Sequence, residues 1–272
     1  MNRRLRTPPF NFQFSIRLIV LPASLLSCLC LAQPKSGLHS PPLDPFHAES
    51  DARALVADML GQQPAQNSTN TGVVKIRDGE NNRQEIPVKF EVFATATNWI
   101  SVYESVTSSN KAGQKLVVTH TGTRPNEYEF IPKSQLEGAL EKPVTLTGEQ
   151  AMIPFAGSDF WLADLGLEFL HWPRQRLLKK ELRRGQSCDV LESVNPQPVA
   201  GGYARVVAWI DIEAPHGIIH ADAYDSHNEL LKQFDPKKLE KIHGQYQLEA
   251  MEIRNHKTGS RTVIELNVTT DK

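Results

Sequence analysis

Two histidines four residues apart, His216 and His220, form the strongest candidate for metal chemistry in this sequence. On a helix, side chains at this spacing share one face, and two imidazoles placed so can ligate one zinc ion. Here Pro215 precedes the pair and Ile218 and Ile219 lie within it, which favours a strand. Four residues of strand span about 13 Å, too far for one metal ion to bridge. We therefore expect no metal site at these histidines.

The candidate nucleophile is Ser158, which lies between Gly157 and Asp159. A catalytic serine needs a positioned base, and no neighbouring feature of the sequence supplies one. The sequence also has no Gly-x-Ser-x-Gly elbow and no glycine-rich phosphate loop. Cys188, in a predicted strand, is expected to be a buried and inert thiol. We therefore expect a protein that is not an enzyme, with no catalytic residues and no cofactor.

The same run has the composition of a helix start. Gly157 permits a tight turn, and Ser158 and Asp159 carry oxygens that can accept hydrogen bonds from the first helical N–H groups. Asp164 would lie near the positive end of the helix dipole. We predict a helix that begins near Asp159, with Gly157, Ser158, Asp159 and Asp164 holding its first turn.

Large apolar side chains are spread over the predicted strands and around this helix start. Ordinary core packing is the better explanation for any one of them, but as a set they could line a cavity. Burial of an acyl chain there would contribute about 25 cal/mol per Å2 of apolar surface. The hypothetical cavity and lid residues are Phe90, Trp99, Phe130, Phe155, Phe160, Trp161, Leu165, Trp209, Tyr224 and Phe234. Phe160 and Trp161 are the first candidates for gating the cavity.

The first 32 residues have the composition of an export signal. They contain four arginines and no acidic residue, and the apolar run from Leu18 to Ala32 is shorter than the ~20 residues of a membrane span. Small residues at Cys30 and Ala32 predict cleavage after Ala32. Alternatively, residues 25–28 resemble a bacterial lipobox, which would make Cys28 a lipidated N-terminus. The expected location is the periplasm, with a form anchored to a membrane through Cys28 as the alternative.

Loss of this segment would leave 26 basic and 31 acidic residues, a net charge of −5. This balance does not indicate the basic face of a nucleic-acid-binding protein, so no nucleic acid is expected. Of the three cysteines only Cys188 would remain, so no intrachain disulfide could form. Residues 33–47 are rich in proline, which predicts a flexible tether. Residues 48–272 are numerous enough to bury the core of a single domain.

Hydrophobic periodicity predicts one N-terminal helix followed mostly by strands. Apolar residues between Ala48 and Leu60 recur at spacings of three and four, which indicates an amphipathic helix. Val88, Phe90 and Val92 alternate with other residues, as in a strand with one buried face. Turn sequences separate such strands along the chain, which predicts antiparallel hairpins. A long meander of this kind curls, and its concave face must be covered by the predicted helices.

Several motifs of this sequence resemble those of the outer-membrane lipoprotein-sorting protein family, the LolA-like group. The run from Pro154 to Leu165 resembles the family signature Gly-Ser-Asp-Phe…Asp-Leu. The similar elements that follow are a basic hairpin with a cysteine-bearing strand at 178–192, a Tyr…Val-x-x-Trp-Ile-Asp strand at 203–211, a strand ending in Tyr224-Asp225, Lys232 in the next strand, and a hairpin at 251–268. The resemblance covers residues 150–268.

The resemblance implies a mainly β (α+β) fold, in which one curled antiparallel sheet forms an unclosed half-barrel and a few helices act as a lid over the concave face. It implies an exported carrier for an acylated lipoprotein or lipid ligand, which would meet an envelope transporter or a membrane-bound partner. The alternative is a structural or accessory module of an envelope complex. Such a module would have a filled barrel and would dock through its exposed sheet or the basic hairpin Leu178–Arg184.

Overall fold

A computed structural model describes residues 44–64, 66–106, 113–132, 142–213, 215–242 and 245–267. The predicted leader, the alternative lipidation site at Cys28 and most of the predicted tether lie outside these residues. No helix in this part of the chain is long and apolar enough to cross a membrane.

The described residues form thirteen strands, two α-helices and one 3-10 helix. In chain order these are α1 (Ala48–Gly61), β1 (Ser68–Arg77), β2 (Arg83–Ala94), β3 (Trp99–Ser105), β4 (Gln114–His120), β5 (Glu127–Pro132), β6 (Val144–Leu146), α2 (Leu162–Leu165), the 3-10 helix (Glu168–His171), β7 (Arg174–Arg183), β8 (Gln186–Val194), β9 (Arg205–Asp211), β10 (Ile218–Tyr224), β11 (Leu230–Ile242), β12 (Gln245–Asn255) and β13 (Arg261–Leu266).

All thirteen strands belong to one antiparallel sheet, which consists of two meanders. Its order is β6-β5-β4-β3-β2-β1-β13-β12-β11-β10-β9-β8-β7, so the pairing of β1 with β13 joins the two halves. At this junction a Cβ on Gly72 would lie 2.2 Å from the backbone oxygen of Glu265, which requires glycine. Among the described residues β6 and β7 remain unpaired with each other, so the sheet is not closed into a barrel. The predicted fold class is confirmed.

The two faces of the sheet have different contents, which follow from the alternation of side chains along each strand. We call the concave face, which carries the two larger apolar clusters, the inner face. Along β9, Val206, Ala208 and Ile210 point to the inner face. Val207 and Trp209 point to the opposite, outer face, where they pack in a smaller cluster.

The inner face is covered by two parts of the chain. Helix α1 lies over one half and buries Ala52 and Val56 against β7, β8 and β9. The connection between β6 and β7 crosses the other half, and its residues 151–165 are called the cover segment below. The predicted N-terminal helix is confirmed, since α1 begins at Ala48 and ends at Gly61. The predicted helix near Asp159 is wrong in its start and length, because only the four residues of α2 are helical.

Candidate functional site

The cover segment fills the inner face with its own apolar side chains. Phe155 and Leu162 have no exposed surface and Phe160 is 2% exposed, and all three pack in one cluster with strands β1 to β5. The segment contains a tight turn, in which Ala156 and Gly157 have φ values of 54° and 67°. The tight turn predicted at Gly157 is therefore confirmed, and it directs Phe155 and Phe160 into the core.

Ser158 and Asp159 do not cap a helix, contrary to prediction. Ser158 Oγ accepts the N–H of Phe160 at 3.1 Å and so stabilises the turn itself. The Asp159 carboxylate instead binds the β12–β13 hairpin, where it accepts hydrogen bonds from Thr262 Oγ1 at 2.8 Å and Ser260 Oγ at 2.5 Å. The Asp159 N–H in turn donates to Thr262 Oγ1 at 3.0 Å. Asp159 thus attaches the cover segment to the sheet.

Asp164 does hold the first turn of α2, as predicted. Its carboxylate accepts the N–H of Trp161 at 2.8 Å, the interaction that satisfies a free donor at a helix start. The same oxygen accepts the Tyr203 hydroxyl at 3.2 Å, and the Trp161 and Tyr203 rings stack with their centroids 4.5 Å apart.

Lys232 connects the inner face of the sheet to the cover segment. This side chain rises from the inner face of β11 and is 3% exposed. Its Nζ donates to the Asp159 carbonyl oxygen at 2.6 Å, lies 3.7 Å from Asp164 Oδ2 and lies 3.4 Å from the centroid of the Trp161 ring. We call the contacts of Lys232, Asp159 and Asp164 the latch.

Burial shifts the pKa values of Lys232 and Asp164 toward their neutral forms. It lowers the pKa of Lys232 to about 8, although Asp164 and Asp159 act in the opposite direction. Burial likewise raises the pKa of Asp164 against the influence of Lys232. The pKa of the Tyr203 hydroxyl is raised well above its ordinary value by burial and by the neighbouring Asp164. Keeping Lys232 and Asp164 charged in this buried position therefore costs free energy.

The predicted cavity residues fall into four places, one of which is the outer face. Phe90, Phe155, Phe160 and Leu165 are buried in the cluster beneath the cover segment, and Phe130 and Phe234 pack against its margin. Trp161 packs against the α1 side of the inner face, as Phe234 also does. Trp99 is half-buried and stacks on His120 with the centroids 4.7 Å apart.

Trp209 and Tyr224 are a correction to the predicted cavity set, because they lie on the outer face. Trp209 follows Ala208 and precedes Ile210, both of which point inward, so alternation directs its ring outward. The guanidinium groups of Arg183 and Arg205 lie 4.2 Å from the centroids of the Trp209 and Tyr224 rings, respectively.

An open cleft of about 520 Å3 lies beside the 3-10 helix, and several of its lining residues are acidic. Glu127, Glu129, Glu149 and Glu168 line it, and no lysine or arginine does so among the described lining residues. Tyr128 donates its hydroxyl to Glu168 Oε2 at 2.8 Å. Burial and the nearby Glu149 raise the pKa of Glu168 to about 7. These carboxyl groups distinguish the cleft from the apolar surface beneath the cover segment.

His216 and His220, the two histidines at metal-ligand spacing, contact different parts of the structure. His216 Nε2 lies 3.2 Å from Asp58 Oδ2 on α1, whereas His220 points to the outer face between Asp222 and Asp235. No group of three or more potential ligands in the described ranges could hold a metal ion. Cys188 is buried, and burial raises the pKa of its thiol.

Sequence reasoning named Lys232 and Tyr203 only as motif residues, and it identified neither of them, nor Thr262, as part of the site. Lys232 is two residues from Phe234 in one strand, so both occupy the inner face. A lysine in phase with a core phenylalanine is a signal that could have identified the buried ammonium. The partners of Asp159 lie about one hundred residues away in the chain, and no local pattern indicates them.

Comparisons with known proteins show the class to which this fold belongs. A family model described as "-like: Uncharacterized protein" matches residues 101–270, more than half of the chain, and the chain belongs to that family. The search of curated proteins gave no match.

Solved structures from three bacteria have a similar fold. A DUF1329 family protein from Desulfovibrio piger has a TM-score of 0.65 and 20% sequence identity, over 81% of this chain and 91% of that one. A putative outer membrane lipoprotein-sorting protein domain from Vibrio parahaemolyticus has a TM-score of 0.64 and 18% identity, with 82% and 94% covered. A LolA superfamily protein from Nitrosomonas europaea has a TM-score of 0.54 and 14% identity, with 79% and 91% covered. The fold is therefore LolA-like, as the motifs predicted.

Proposed function

We propose that this protein is an exported, non-enzymatic carrier that binds an acylated lipoprotein or another lipidic ligand on the inner face of its sheet. The observation that carries the proposal is the construction of the cover. Apolar residues lie both on the sheet and on the cover segment, yet the two are held in register by the buried latch of Lys232, Asp159 and Asp164. A cover held through costly charges can be released for less free energy than one held by apolar packing throughout.

Displacement of the cover segment would uncover a continuous apolar surface. Phe90 and Ile264 contribute to it from neighbouring parts of the sheet, and Leu116 and Val118 extend it along β4. An acyl chain that took the place of Phe155 and Phe160 would recover about 25 cal/mol per Å2 of this surface. Exchange between the covered and ligand-bound states then requires a difference of only a few kcal/mol.

The resemblance of the fold to lipoprotein-sorting proteins supports the same proposal. In this account the protein works in the periplasm, receives its ligand from an envelope transporter or membrane, and delivers it to a membrane-bound partner. The LolA-like structures from Vibrio parahaemolyticus and Nitrosomonas europaea support the fold component of this proposal.

A second candidate function is an accessory module of an envelope complex, and the filling of the inner face favours it. Phe155, Leu116 and Tyr128 have no exposed surface, so the protein's own side chains occupy the interior. In this account the cover segment is permanent core and the sheet serves as a scaffold for docking.

Titration with a fluorescent acyl probe, a dansylated undecanoate, separates the two candidates. The carrier account predicts saturable binding by the wild type. It predicts about tenfold tighter binding by Lys232→Met, because weakening the latch raises the population with an open cover. Lys257→Met, an exposed lysine in the turn before β13, is the matched control and should bind like the wild type. No binding by the wild type or by Lys232→Met would reject the carrier and leave the accessory module.

A further inference from the structure

Four arginines stand side by side across the outer face of strands β2, β1, β13 and β12. Arg83 lies directly opposite Arg77, Arg77 opposite Arg261, and Arg261 opposite Arg254. Their alternate neighbours, such as Thr262, point to the inner face, so all four guanidinium groups belong to the outer face. At a strand spacing of about 4.8 Å, this arginine row is about 14 Å long.

The arginine row is an unfavourable arrangement for strand pairing. Like charges directly opposite each other on neighbouring strands destabilise the pairing. One buried carboxylate lies beneath the row: Glu252 accepts Arg254 Nε at 2.7 Å, also pairs with Arg261, and lies 3.3 Å from Lys237 Nζ. Glu252 therefore already serves three cations. Arg77 and Arg83 are exposed and have no ion pair within the described ranges.

The acidic groups near Arg77 and Arg83 either have other hydrogen-bond partners or face Lys75. The carboxylate of Asp78 accepts the N–H groups of Glu80 and Asn82 and the Asn82 side-chain amide, so it is engaged within its own turn. Lys75 lies opposite Glu85 on the same face and pairs with Glu265 on β13. Arg77 and Arg83 thus remain exposed cations with no ion pair in the described ranges, on a chain whose expected exported form is net negative.

We propose that the arginine row docks the protein on the phosphate headgroups of an anionic lipid membrane. Guanidinium groups bind phosphate oxygens with two parallel hydrogen bonds, which suits them to this ligand better than lysine. The row lies along an open sheet face, so it presents several donors to an extended array of phosphates and forms no enclosed pocket for one small anion. The proposal does not depend on the presence of an acyl ligand on the inner face.

Co-sedimentation with vesicles tests the proposal, using the exported chain with Cys28→Ser so that no acyl anchor contributes. We expect binding to mixed phosphatidylcholine–phosphatidylglycerol vesicles at low salt, and none to pure phosphatidylcholine. Binding should weaken as salt increases, because exposed charges are screened. The double variant Arg77→Gln/Arg83→Gln should bind at least about tenfold more weakly, since each arginine near an anionic surface contributes substantially to attraction.

Arg124→Gln/Arg174→Gln is the matched control, because it removes the same charge from two exposed arginines elsewhere. It should retain nearly all the binding. An equal loss in both double variants would overturn the arginine row as the site, and failure of the wild type to bind anionic vesicles would overturn the membrane as the partner. Binding to soluble polyglutamate without binding to vesicles would also overturn it, in favour of an acidic protein.

Discussion

Lys232 on the inner face and His220 on the outer face are equally buried, with 3% of each side chain exposed, yet their pKa values shift in opposite directions. Burial lowers the pKa of Lys232 to about 8 and raises that of Asp164. At His220 burial also acts to lower the pKa, but hydrogen bonds to Asp222 and Asp235 outweigh it and raise the pKa. The same bonds lower the pKa values of both aspartates against the effect of burial.

The difference lies in the geometry of the partners. His220 makes two direct contacts with carboxylates, at 2.7 Å to Asp235 and 2.8 Å to Asp222. Lys232 donates instead to a neutral carbonyl oxygen, and the nearest carboxylate oxygen, on Asp164, is 3.7 Å away. The contacts of His220 with Asp222 and Asp235 therefore stabilise the sheet, whereas the latch fixes the position of the cover segment at a cost in free energy. We therefore expect the latch to resist displacement of the cover segment less than direct ion pairs would.

The largest expected effect concerns apolar packing on the two faces. Phe160→Ala removes an almost fully buried ring and should lower the free energy of unfolding by about 3–5 kcal/mol. Phe93→Ala, at an outer position that is 42% exposed, should cost less than about 1 kcal/mol. Urea denaturation measures both. Similar losses at the two positions would mean that the cover segment is not part of the cooperative core.

Removing each charged pair as a unit tests the contrast directly. Lys232→Met/Asp164→Asn should change the free energy of unfolding by less than about 1 kcal/mol, because a costly buried pair can be replaced by neutral groups. His220→Gln/Asp235→Asn should lower it by about 2–4 kcal/mol, because charge-assisted hydrogen bonds are lost. Denaturant titrations at neutral pH would contradict the account if the inner pair proved the more stabilising of the two.

The pH dependence of the free energy of unfolding should have opposite signs for Lys232 on the inner face and His220 on the outer face. Between about pH 8 and 10.5 the unfolded chain holds the Lys232 proton more than the folded chain does, so this lysine contributes stability that increases with pH, by up to about 3 kcal/mol. Thermal melts of Lys232→Met should lack this increase.

His220 contributes stability that is present below pH 6.5 and is lost as the pH rises through its raised folded pKa. Asp222 and Asp235 contribute stability that is present above pH 3.8 and is lost as the pH falls through their lowered folded pKa values. The stability difference between the wild type and His220→Gln should therefore be largest near pH 5. A difference that grew toward pH 9 would refute the assignment.

The smallest effect is expected at the arginine row. Arg77→Gln/Arg83→Gln relieves repulsion between directly opposed charges and should raise the free energy of unfolding by about 0.2–1 kcal/mol. Lys75→Gln, which removes an exposed ion pair with Glu265, should leave it unchanged or slightly lower. Thermal midpoints of the two variants provide the comparison. A destabilised arginine variant would indicate that the row is structural.

The sequence predicted the elements whose period is visible locally. The apolar stripe of α1 and the alternation of Val88, Phe90 and Val92 were sufficient to locate a helix and a strand with one buried face. The motif resemblance added the unclosed sheet and its covered concave face. These features depend on neighbours in the chain or on a recurring family pattern.

The sequence could not predict the details of the cover because they depend on distant residues. Ser158 and Asp159 have the composition of helix caps, but tertiary contacts with the β12–β13 hairpin compete for the Asp159 carboxylate and prevail. Within β9, apolar residues occupy both faces, so no contrast of polarity revealed that Trp209 points outward. Only the two-residue spacing between Lys232 and Phe234 in β11 indicated that the lysine side chain points to the inner face.

A disulfide between the cover segment and the sheet tests the central claim most directly. Asp159 and Thr262 are in side-chain contact, so Asp159→Cys/Thr262→Cys, in a background with Cys28 and Cys30 replaced by serine, can be oxidised to lock the cover. We predict that the locked protein does not bind the dansylated acyl probe and that reduction of the disulfide restores binding. Equal binding by the locked and reduced forms would contradict the account, because the ligand would then enter without movement of the cover.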